Sequence, residues 1–350
     1  MSDADPGEVR VGVTVGAPLA LPMLGGLLLV LAVVSLGTGP VHVSPDRVLR
    51  LLLHGADGIV GDEAAAVIVQ QLRPPRVLLA ILVGASLGLC GAVMQGFFQN
   101  PMADPYIIGV SSGAALGATI ALAFSIDIWL LGIHSASLFA FAGALSVTLL
   151  VYAVARRGGR VPTTLLLLTG VAVGSLASAA TSLVMITGKT DLHRILFWLL
   201  GSFSSRRWEH VHMVWPWAVA GGVTLQFFAR DLNVLLQGEE NAQFLGVEVD
   251  RVKRLLLVLT ALLTAAAVSV SGIIGFVGLI VPHVMRLIVG PDHRRLLPAS
   301  LLGGAILMVA ADMLARTLIA PAEIPVGVIT ALLGCPFFLY LLSRRRDVAV

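Results

Sequence analysis

The sequence predicts an all-α polytopic membrane protein with about ten transmembrane helices. The chain has 350 residues, of which 57% are hydrophobic and only 12% charged, and its mean hydropathy is +0.94. A soluble domain of this size needs far more charge to cover its surface. Long stretches such as 128–155 and 163–188 contain no Asp, Glu, Lys or Arg. Because a helix needs about 20 apolar residues to cross a bilayer, the chain crosses it many times.

The predicted spans are all helices, because lipid offers no water to satisfy the backbone of any other long continuous segment. They are residues 17–37, 76–96, 106–125, 133–155, 163–186, 211–229, 255–271, 273–290, 297–317 and 324–343. The first is predicted to be retained, because the residues before it are acid-rich, unlike a signal peptide.

Two stretches depart from a simple span. The run 255–285 lacks charges but is too long for one span, and VSGIIG, residues 270–275, is predicted as its break. The segment 195–205 is too short to cross, so we expect it to dip into the membrane beside the fifth span.

The distribution of arginine and lysine predicts the orientation, since cytoplasmic loops carry an excess of both. With the N-terminus inside, more of them fall in cytoplasmic loops than in outer ones. The chain is therefore predicted as one transmembrane domain, 1–350. Its N-terminal segment 1–16, its middle loop 231–254 and its tail 344–350 are placed in the cytoplasm.

Several function classes are disfavoured. The net charge of +3 does not indicate nucleic-acid binding, because the basic residues form short clusters between apolar runs. Cys90 and Cys335 lie inside apolar spans and are predicted to pack there. The GKT at 188–190 lacks the preceding glycine of a phosphate-binding loop, where Leu183 stands. ATP must therefore be bound by a partner.

Two further patterns have ordinary explanations. GVSSG, residues 109–113, matches the serine-hydrolase elbow around Ser111, but it opens a membrane helix and lacks the strand that the elbow requires. An intramembrane hydrolase at Ser111 remains a third hypothesis. His210 and His212 are two residues apart, not four, so they are predicted as solvated interface histidines, not a metal site.

Asp312 is an acid inside a predicted span, which usually marks function. It could be the protonation site of a proton-coupled secondary transporter. The competing interpretation is an ion pair with Arg316, four residues further on the same helix. We favour the pair.

The stretch 232–254 is polar and helix-prone between nearly uncharged spans. Glu239 and Glu240 suit a first helical turn, and Gly246 suits a helix end. Ala242 and Leu245 are predicted to share an apolar face, with a charged rim formed by 251–254. Such a surface suits a protein–protein contact, although a solvated connector is an equal alternative.

Three long motifs resemble one known family. They are the segments 73–118 (RPPRVLLAILVGASLGLCGAVMQGFFQNPMADPYIIGVSSGAALGA), 271–305 (SGIIGFVGLIVPHVMRLIVGPDHRRLLPASLLGGA) and 323–342 (EIPVGVITALLGCPFFLYLL). In these the chain is similar to the permease subunits of type II ABC importers, which take up ferric siderophores, haem or vitamin B12. The resemblance covers nearly the whole chain beyond about residue 45.

The resemblance implies a partner for each end of the molecule. The loop between the sixth and seventh spans would rest on an ATPase subunit. Its contact residues would be Glu239, Glu240, Ala242, Leu245, Gly246 and Val247. Arg73 and Arg76, in the family's R-x-P-R motif with Pro74 at the variable position, would dock acidic residues of a periplasmic binding protein. Arg316 resembles a third docking arginine.

The resemblance also implies a path and an assembly. Thr163, Thr164 and Gly170 would lie at the cytoplasmic mouth of the fifth span. Arg194 and Trp198 would line the path at a homodimer axis. Arg194 could attract a carboxylate of the cargo or be a plain interfacial arginine.

The implied complex is a homodimer with two ATPase subunits and a binding protein, in the bacterial inner membrane. The chain itself would bind no cofactor and no metal, would not be an enzyme, and would leave ATP and Mg²⁺ to the ATPase. Iron chelates or haem are expected over vitamin B12, because more family members carry iron.

Overall fold

A computed structural model describes residues 17–41, 43–54, 63–130, 132–157, 161–188 and 192–345 of the chain. The predicted cytoplasmic segment 1–16 and the end of the tail, 346–350, lie outside the described residues. Within them the protein is almost entirely helical. Its strands there are one short antiparallel hairpin, β1 (Trp129–Leu130) and β2 (Ile133–His134).

All ten predicted spans contain a helix. These are α1 (Ala17–Gly37), α4 (Arg73–Phe97), α5 (Val110–Ala123), α6 (Ser135–Ala155), α7 (Thr163–Thr187), α9 (Trp208–Phe227), α12 (Val249–Ser271), α13 (Val277–Val289), α14 (His293–Thr317) and α15 (Val326–Arg345). Of the described helices, six are long and apolar enough to cross a membrane by themselves, while α5, α13 and α15 are apolar but shorter.

The predicted break in the run 255–285 is confirmed. Helix α12 ends at Ser271 and α13 starts at Val277. Gly272 has φ +72°, and a Cβ there would lie 2.1 Å from the carbonyl oxygen of Trp198. The backbone can turn here only because glycine tolerates both the positive φ and the close approach.

Five shorter helices complete the fold. They are α2 (Pro45–His54), α3 (Glu63–Val67), α8 (Leu192–Leu199), α10 (Ala229–Leu235) and α11 (Glu239–Phe244). The predicted non-spanning piece is α8. Helices α10 and α11 occupy the predicted cytoplasmic loop, but the last part of that loop, from Val249, is already the first turn of α12.

The region before α4 was missed by the sequence analysis. In α2, Val48 and Leu51 are buried against Val43 and Val69, while Leu49 is half exposed. A single π-helical turn, Ile68–Leu72, then joins α3 to α4 in one continuous helix. Short amphipathic helices such as α2 have a low mean hydropathy, because their apolar residues form a narrow stripe and not a continuous apolar segment. Hydropathy therefore does not reveal them.

The centre of the molecule is the crossing of α4 and α14. A Cβ on Gly84 would lie 2.3 Å from the carbonyl oxygen of Gly304, and a Cβ on Gly88 would lie 2.3 Å from that of Ser300. Only glycines let the two backbones approach so closely, which is how helices associate in lipid without a hydrophobic drive. Helix α7, by contrast, leaves much of its surface exposed, including Leu168, Val171 and Leu183.

Candidate functional site

The loop between α9 and α12 forms a compact platform at one end of the bundle. Helix α11 has only six residues and lies between two glycines with positive φ, Gly238 at +102° and Gly246 at +84°. Glu239 and Glu240 occupy its first turn, where carboxylates interact favourably with the helix dipole. The predicted helix end at Gly246 is confirmed, with Leu245 as the C-cap residue.

The predicted apolar face of this platform is wrong in one respect. Ala242 is fully buried within the chain, whereas Leu245 is 63% exposed. The two residues therefore do not form one contact surface. Ala242 anchors α11 to the bundle, and Leu245 is presented outward beside Gly246 and Val247. These three residues line a cavity of about 550 Å³ together with Arg230 and Arg251.

Phe244 was not among the predicted contact residues of the platform. Its side chain is 89% exposed at the last position of α11. The sequence feature that could have indicated it is an aromatic residue next to Leu245 in an otherwise polar six-residue helix. Large aromatic residues are enriched where protein surfaces meet, so this side chain is the most prominent contact group of the platform.

Lys253 connects the platform to the bundle. It was predicted on a solvated basic face, but it is buried and forms an ion pair with Glu239. Its Nζ also lies 5.4 Å from the ring centroid of Phe97, at the end of α4. Burial of a lysine requires such partners. The consequence is that α11, α12 and α4 are joined by one side chain.

At the opposite end, Arg76 is held by two carboxylates. Its Nη2 donates to Asp312 Oδ1 at 2.8 Å, and its Nη1 donates to Glu323 Oε1 at 2.8 Å. The Nε also donates to Asp312, at 3.0 Å. All three nitrogens of this guanidinium are therefore used inside the chain, on α14 and on the segment before α15.

Arg316 and Arg73 bind the first helix and the segment after it. The predicted pair of Arg316 with Asp312 is confirmed at 3.1 Å. Arg316 also donates to the carbonyl oxygen of Thr38 and to Ser35 Oγ. Arg73 donates to the carbonyl oxygens of Leu36 and Val41. Both arginines are buried, although Arg73 was predicted only as a docking group.

The outer cluster still faces a cavity. Arg73, Arg76 and Arg316 line a space of about 420 Å³ together with Glu323 and the loop 203–207. In that loop Arg207 is exposed. The three arginines therefore line this cavity, while their hydrogen-bond partners are in the chain itself.

Asp312 does not have the surroundings of a transported proton's acceptor. It is fully buried, and both carboxylate oxygens accept from guanidinium groups of Arg76 and Arg316. The arrangement is a structural ion-pair network between helices.

The predicted path residues lie in different settings. Thr163 and Thr164 begin α7, and Thr164 is exposed. Gly170 is buried, and a Cβ there would lie 2.3 Å from the carbonyl oxygen of Ile107, so its local role is close packing. Arg194 is exposed on α8, while Trp198 is 8% exposed.

Other predicted sites are placed as follows. Ser111 lies in the first turn of α5, which follows a 3-10 turn and not a strand, so the hydrolase elbow is not formed. Cys90 is buried as predicted, whereas the predicted packing of Cys335 is wrong, because this residue is exposed on α15. Among the described residues, no group of three His, Cys, Asp or Glu side chains is arranged to hold a metal ion. His210, predicted as solvated, lies instead beside Arg206, with its Nε2 3.3 Å from Arg206 Nη1.

The outer ion-pair network gives a testable prediction. Asp312→Asn leaves Arg76 and Arg316 without their shared carboxylate, and breaking a buried pair costs about 3–5 kcal/mol. We expect the free energy of unfolding to fall by that amount, measured by reversible unfolding in mixed micelles with increasing sodium dodecyl sulfate.

The matched control is Asp46→Asn, which breaks the exposed pair of Asp46 with Arg50 on α2. An exposed pair is worth about 0–1 kcal/mol. Equal effects of the two substitutions would contradict the assignment of Asp312 as the centre of the network.

Comparison with known proteins places this geometry in a family. The FecCD transport family matches residues 27–344. The cobalamin import system permease of Halobacterium salinarum is 53% identical over 284 residues, which are 81% of this chain and 75% of that protein. The hemin transport system permease of Yersinia pestis is 42% identical over 333 residues, 93% of this chain and 96% of that protein.

A solved structure shows the same fold. It is described as an inward-facing conformation of a metal-chelate type ABC transporter and superposes with a TM-score of 0.82 at 35% identity. The alignment covers 93% of this chain and 99% of that one. With the helix order above and a family match over nearly its whole length, the chain is a multi-pass membrane permease that belongs to the FecCD transport family.

Proposed function

We propose that this chain is the permease subunit of an ATP-driven importer that moves a metal chelate across the cytoplasmic membrane. The observation that carries the proposal is the platform at α11. It presents exposed aromatic and aliphatic groups, and it is joined to the spanning helices through Lys253. A permease whose ATPase is a separate subunit needs such a contact. ATP and Mg²⁺ are then bound by that subunit, and this chain catalyses no reaction.

The platform can transmit a push from a partner to the bundle. A partner that moves Phe244 and Leu245 moves α11 as one rigid turn, because Ala242 is buried beneath it. The ion pair of Glu239 with Lys253 passes that displacement to α12. Two sites at opposite membrane faces are then coupled through a conformational equilibrium, as an alternating-access transporter requires.

The assembly we propose is a homodimer with two ATPase subunits, with α7 at the dimer axis. Support comes from the exposed side of α7, which carries Leu168, Val171 and several small or weakly polar residues such as Ser175 and Ser178. A second copy of the same surface would enclose a path with few charged groups. Both termini, the loop 231–254 and the platform then lie in the cytoplasm.

We also propose that an outer binding protein docks over the cavity lined by Arg73, Arg76 and Arg316. Because these arginines hold α1, α14 and the segment before α15, they shape the docking surface more than they project from it. Arg207, exposed at the rim of the same cavity, is the guanidinium that an acidic side chain can reach first.

For the cargo, the comparisons favour vitamin B12 before haem or a ferric chelate. The relative named for cobalamin is 53% identical to this chain, and the one named for hemin is 42% identical. This order differs from the sequence expectation, which followed the abundance of iron carriers in the family. Haem and ferric chelates are the alternatives.

Uptake in cells with and without the gene tests the function and the cargo together. We expect loss of labelled cobalamin uptake on deletion, and arrest of uptake when arsenate depletes ATP. Haem and a ferric siderophore are offered in parallel as alternative cargoes. Uptake that survives ATP depletion but collapses with the proton gradient would contradict the importer and favour a secondary transporter.

The platform is tested with Phe244→Ala. Truncation of a central aromatic anchor typically costs about 2 kcal/mol or more of binding energy, so we expect at least about tenfold weaker binding of the ATPase subunit in detergent. Thermal stability should be unchanged, because the side chain is almost fully exposed. Phe124→Ala, at a 57% exposed phenylalanine after α5, is the control; an equal loss in both variants would overturn the assignment.

Docking is tested with Arg207→Glu, since reversal of Arg76 would disrupt the buried network. Reversal of a rim charge lowers the association rate and changes its salt dependence. We expect about five- to tenfold weaker capture of the binding protein at low salt, with the difference shrinking as salt is raised. The control is Arg251→Glu, which changes an exposed arginine at the opposite end of the helix bundle. Unchanged capture by the Arg207 variant would refute docking at this rim.

A further inference from the structure

A second cavity, which shares part of the loop 203–207 with the docking cavity, contains buried polar groups that have no hydrogen-bond partner among the residues the structure describes. It has a volume of about 440 Å³ and lies between the β-hairpin, α8, that loop and the start of α9. Its polar lining includes Arg194, Trp198, Arg206, Arg207, Glu209 and His210. Leu122, Trp129 and Ile133 supply an apolar side.

Two hydrogen-bond donors in this lining are buried and unused. Within the part of the chain that the structure describes, neither Trp198 Nε1 nor Arg206 Nε has a hydrogen-bond partner. Trp198 is 8% exposed, so its N–H is cut off from bulk solvent. A buried donor without an acceptor costs about 1–3 kcal/mol. Two such donors lining one cavity indicate that a ligand supplies the acceptor.

The charge of the cavity defines the ligand as an anion. Three arginines line it against one glutamate. His210 Nδ1 accepts from the backbone N–H of Arg207 at 3.3 Å, and its Nε2 lies 3.3 Å from Arg206 Nη1. Burial lowers the pKa of this imidazole to about 4, so it adds no positive charge at neutral pH. Burial lowers the pKa of the Arg206 guanidinium to about 10, so it remains cationic at neutral pH.

Glu209 adds a second requirement. Its Oε2 is buried and accepts no hydrogen bond from any described residue, and the neutral His210 ring lies 4.0 Å away at Nδ1. An acceptor that lines the same cavity as two donors suits a ligand that carries a hydroxyl or amine beside its oxyanion. The apolar side formed by Trp129 and Ile133 can hold a hydrocarbon part of the same molecule.

We infer that this cavity is an oxyanion-binding site, in which Arg206 and Trp198 hold a carboxylate or phosphate and Glu209 accepts from a neighbouring hydroxyl or amine of the ligand. The site lies within one subunit and does not depend on the identity of the cargo. The same chemistry is offered by a soluble hydroxy acid or phosphate and by the headgroup of an anionic lipid at the outer membrane surface.

Direct binding to the full-length permease in phosphatidylcholine nanodiscs tests the inference. The soluble probes are malate and glycerol 1-phosphate, measured by equilibrium dialysis, and the lipid probe is phosphatidylglycerol, measured as lipid retained in native mass spectra. Arg206→Gln should weaken binding at least about tenfold, because it removes a charged donor. Trp198→Phe, which keeps the ring and removes one N–H, should weaken it about fivefold.

The outcomes are separable. Binding of the soluble probes alone assigns a soluble ligand, and retention of phosphatidylglycerol alone assigns the lipid headgroup; both support the site. Arg230→Gln, on the cytoplasmic platform, is the control and should bind as the unmodified chain does. If Arg206→Gln fails to fold, Trp198→Phe decides. No binding by any probe, or equal binding by the Trp198 variant, overturns the inference.

Discussion

The close approach of α4 and α14 is the constraint on which the rest of this molecule depends. In lipid, apolar side chains gain nothing by leaving their surroundings for one another, so helices associate through tight van der Waals contact. Gly84, Gly88 and Gly304 provide it, since any Cβ at these positions would meet backbone of the opposite helix. The two longest buried helices thereby form one rigid pair, and the other spans pack around it.

The polar clusters lie at the two ends of this helix pair. Each cluster includes residues near the termini of α4 or α14. At the outer end Arg76 of α4 meets Asp312 of α14. At the other end Phe97 closes α4 beneath Lys253, while His293 opens α14 with its Nδ1 2.9 Å from Asn233 Oδ1, on α10. Charges are tolerated there because each has a partner, whereas an unpaired charge at these depths would be strongly unfavourable.

The sequence was sufficient to predict the helices but not to predict which side chains pair with one another. Apolar length alone predicted all ten spans, and the glycine-containing run at 270–275 predicted the break before α13, because both follow from local chemistry. The pairing of Arg76 with Asp312 joins residues 236 positions apart, and no local pattern indicates it. The predicted role of Arg73 and Arg76 therefore named a partner outside the chain and missed the partners within it, whereas the local pair of Arg316 with Asp312 was predicted.

Ala242 and Phe244 show the same limit on a smaller scale. Both lie on one six-residue helix, yet one is fully buried and the other 89% exposed. Helical spacing separates their directions by about 200°, but only the packed structure decides which direction is outward. Glu239 was predicted in the first turn of this helix and Gly246 at its end, while the rotation of the helix was set by the contacts of Ala242.

This distribution of rigid and exposed parts constrains how the protein can move. From Arg76 to Phe97, α4 extends about 32 Å at 1.5 Å per residue, and its glycine contacts with α14 leave little freedom to bend or slide. In the mechanism proposed above, a push at α11 is delivered to a stiff pair that reaches the arginine network at the opposite end of the bundle. The change in access would then occur where packing is sparse. Helix α7 leaves a long side uncovered, and α8 beside it is short and partly exposed. An alternating-access permease requires one part that transmits the motion and another that opens the path. The rigid pair of α4 and α14 suits the first role, and the loosely packed α7 suits the second.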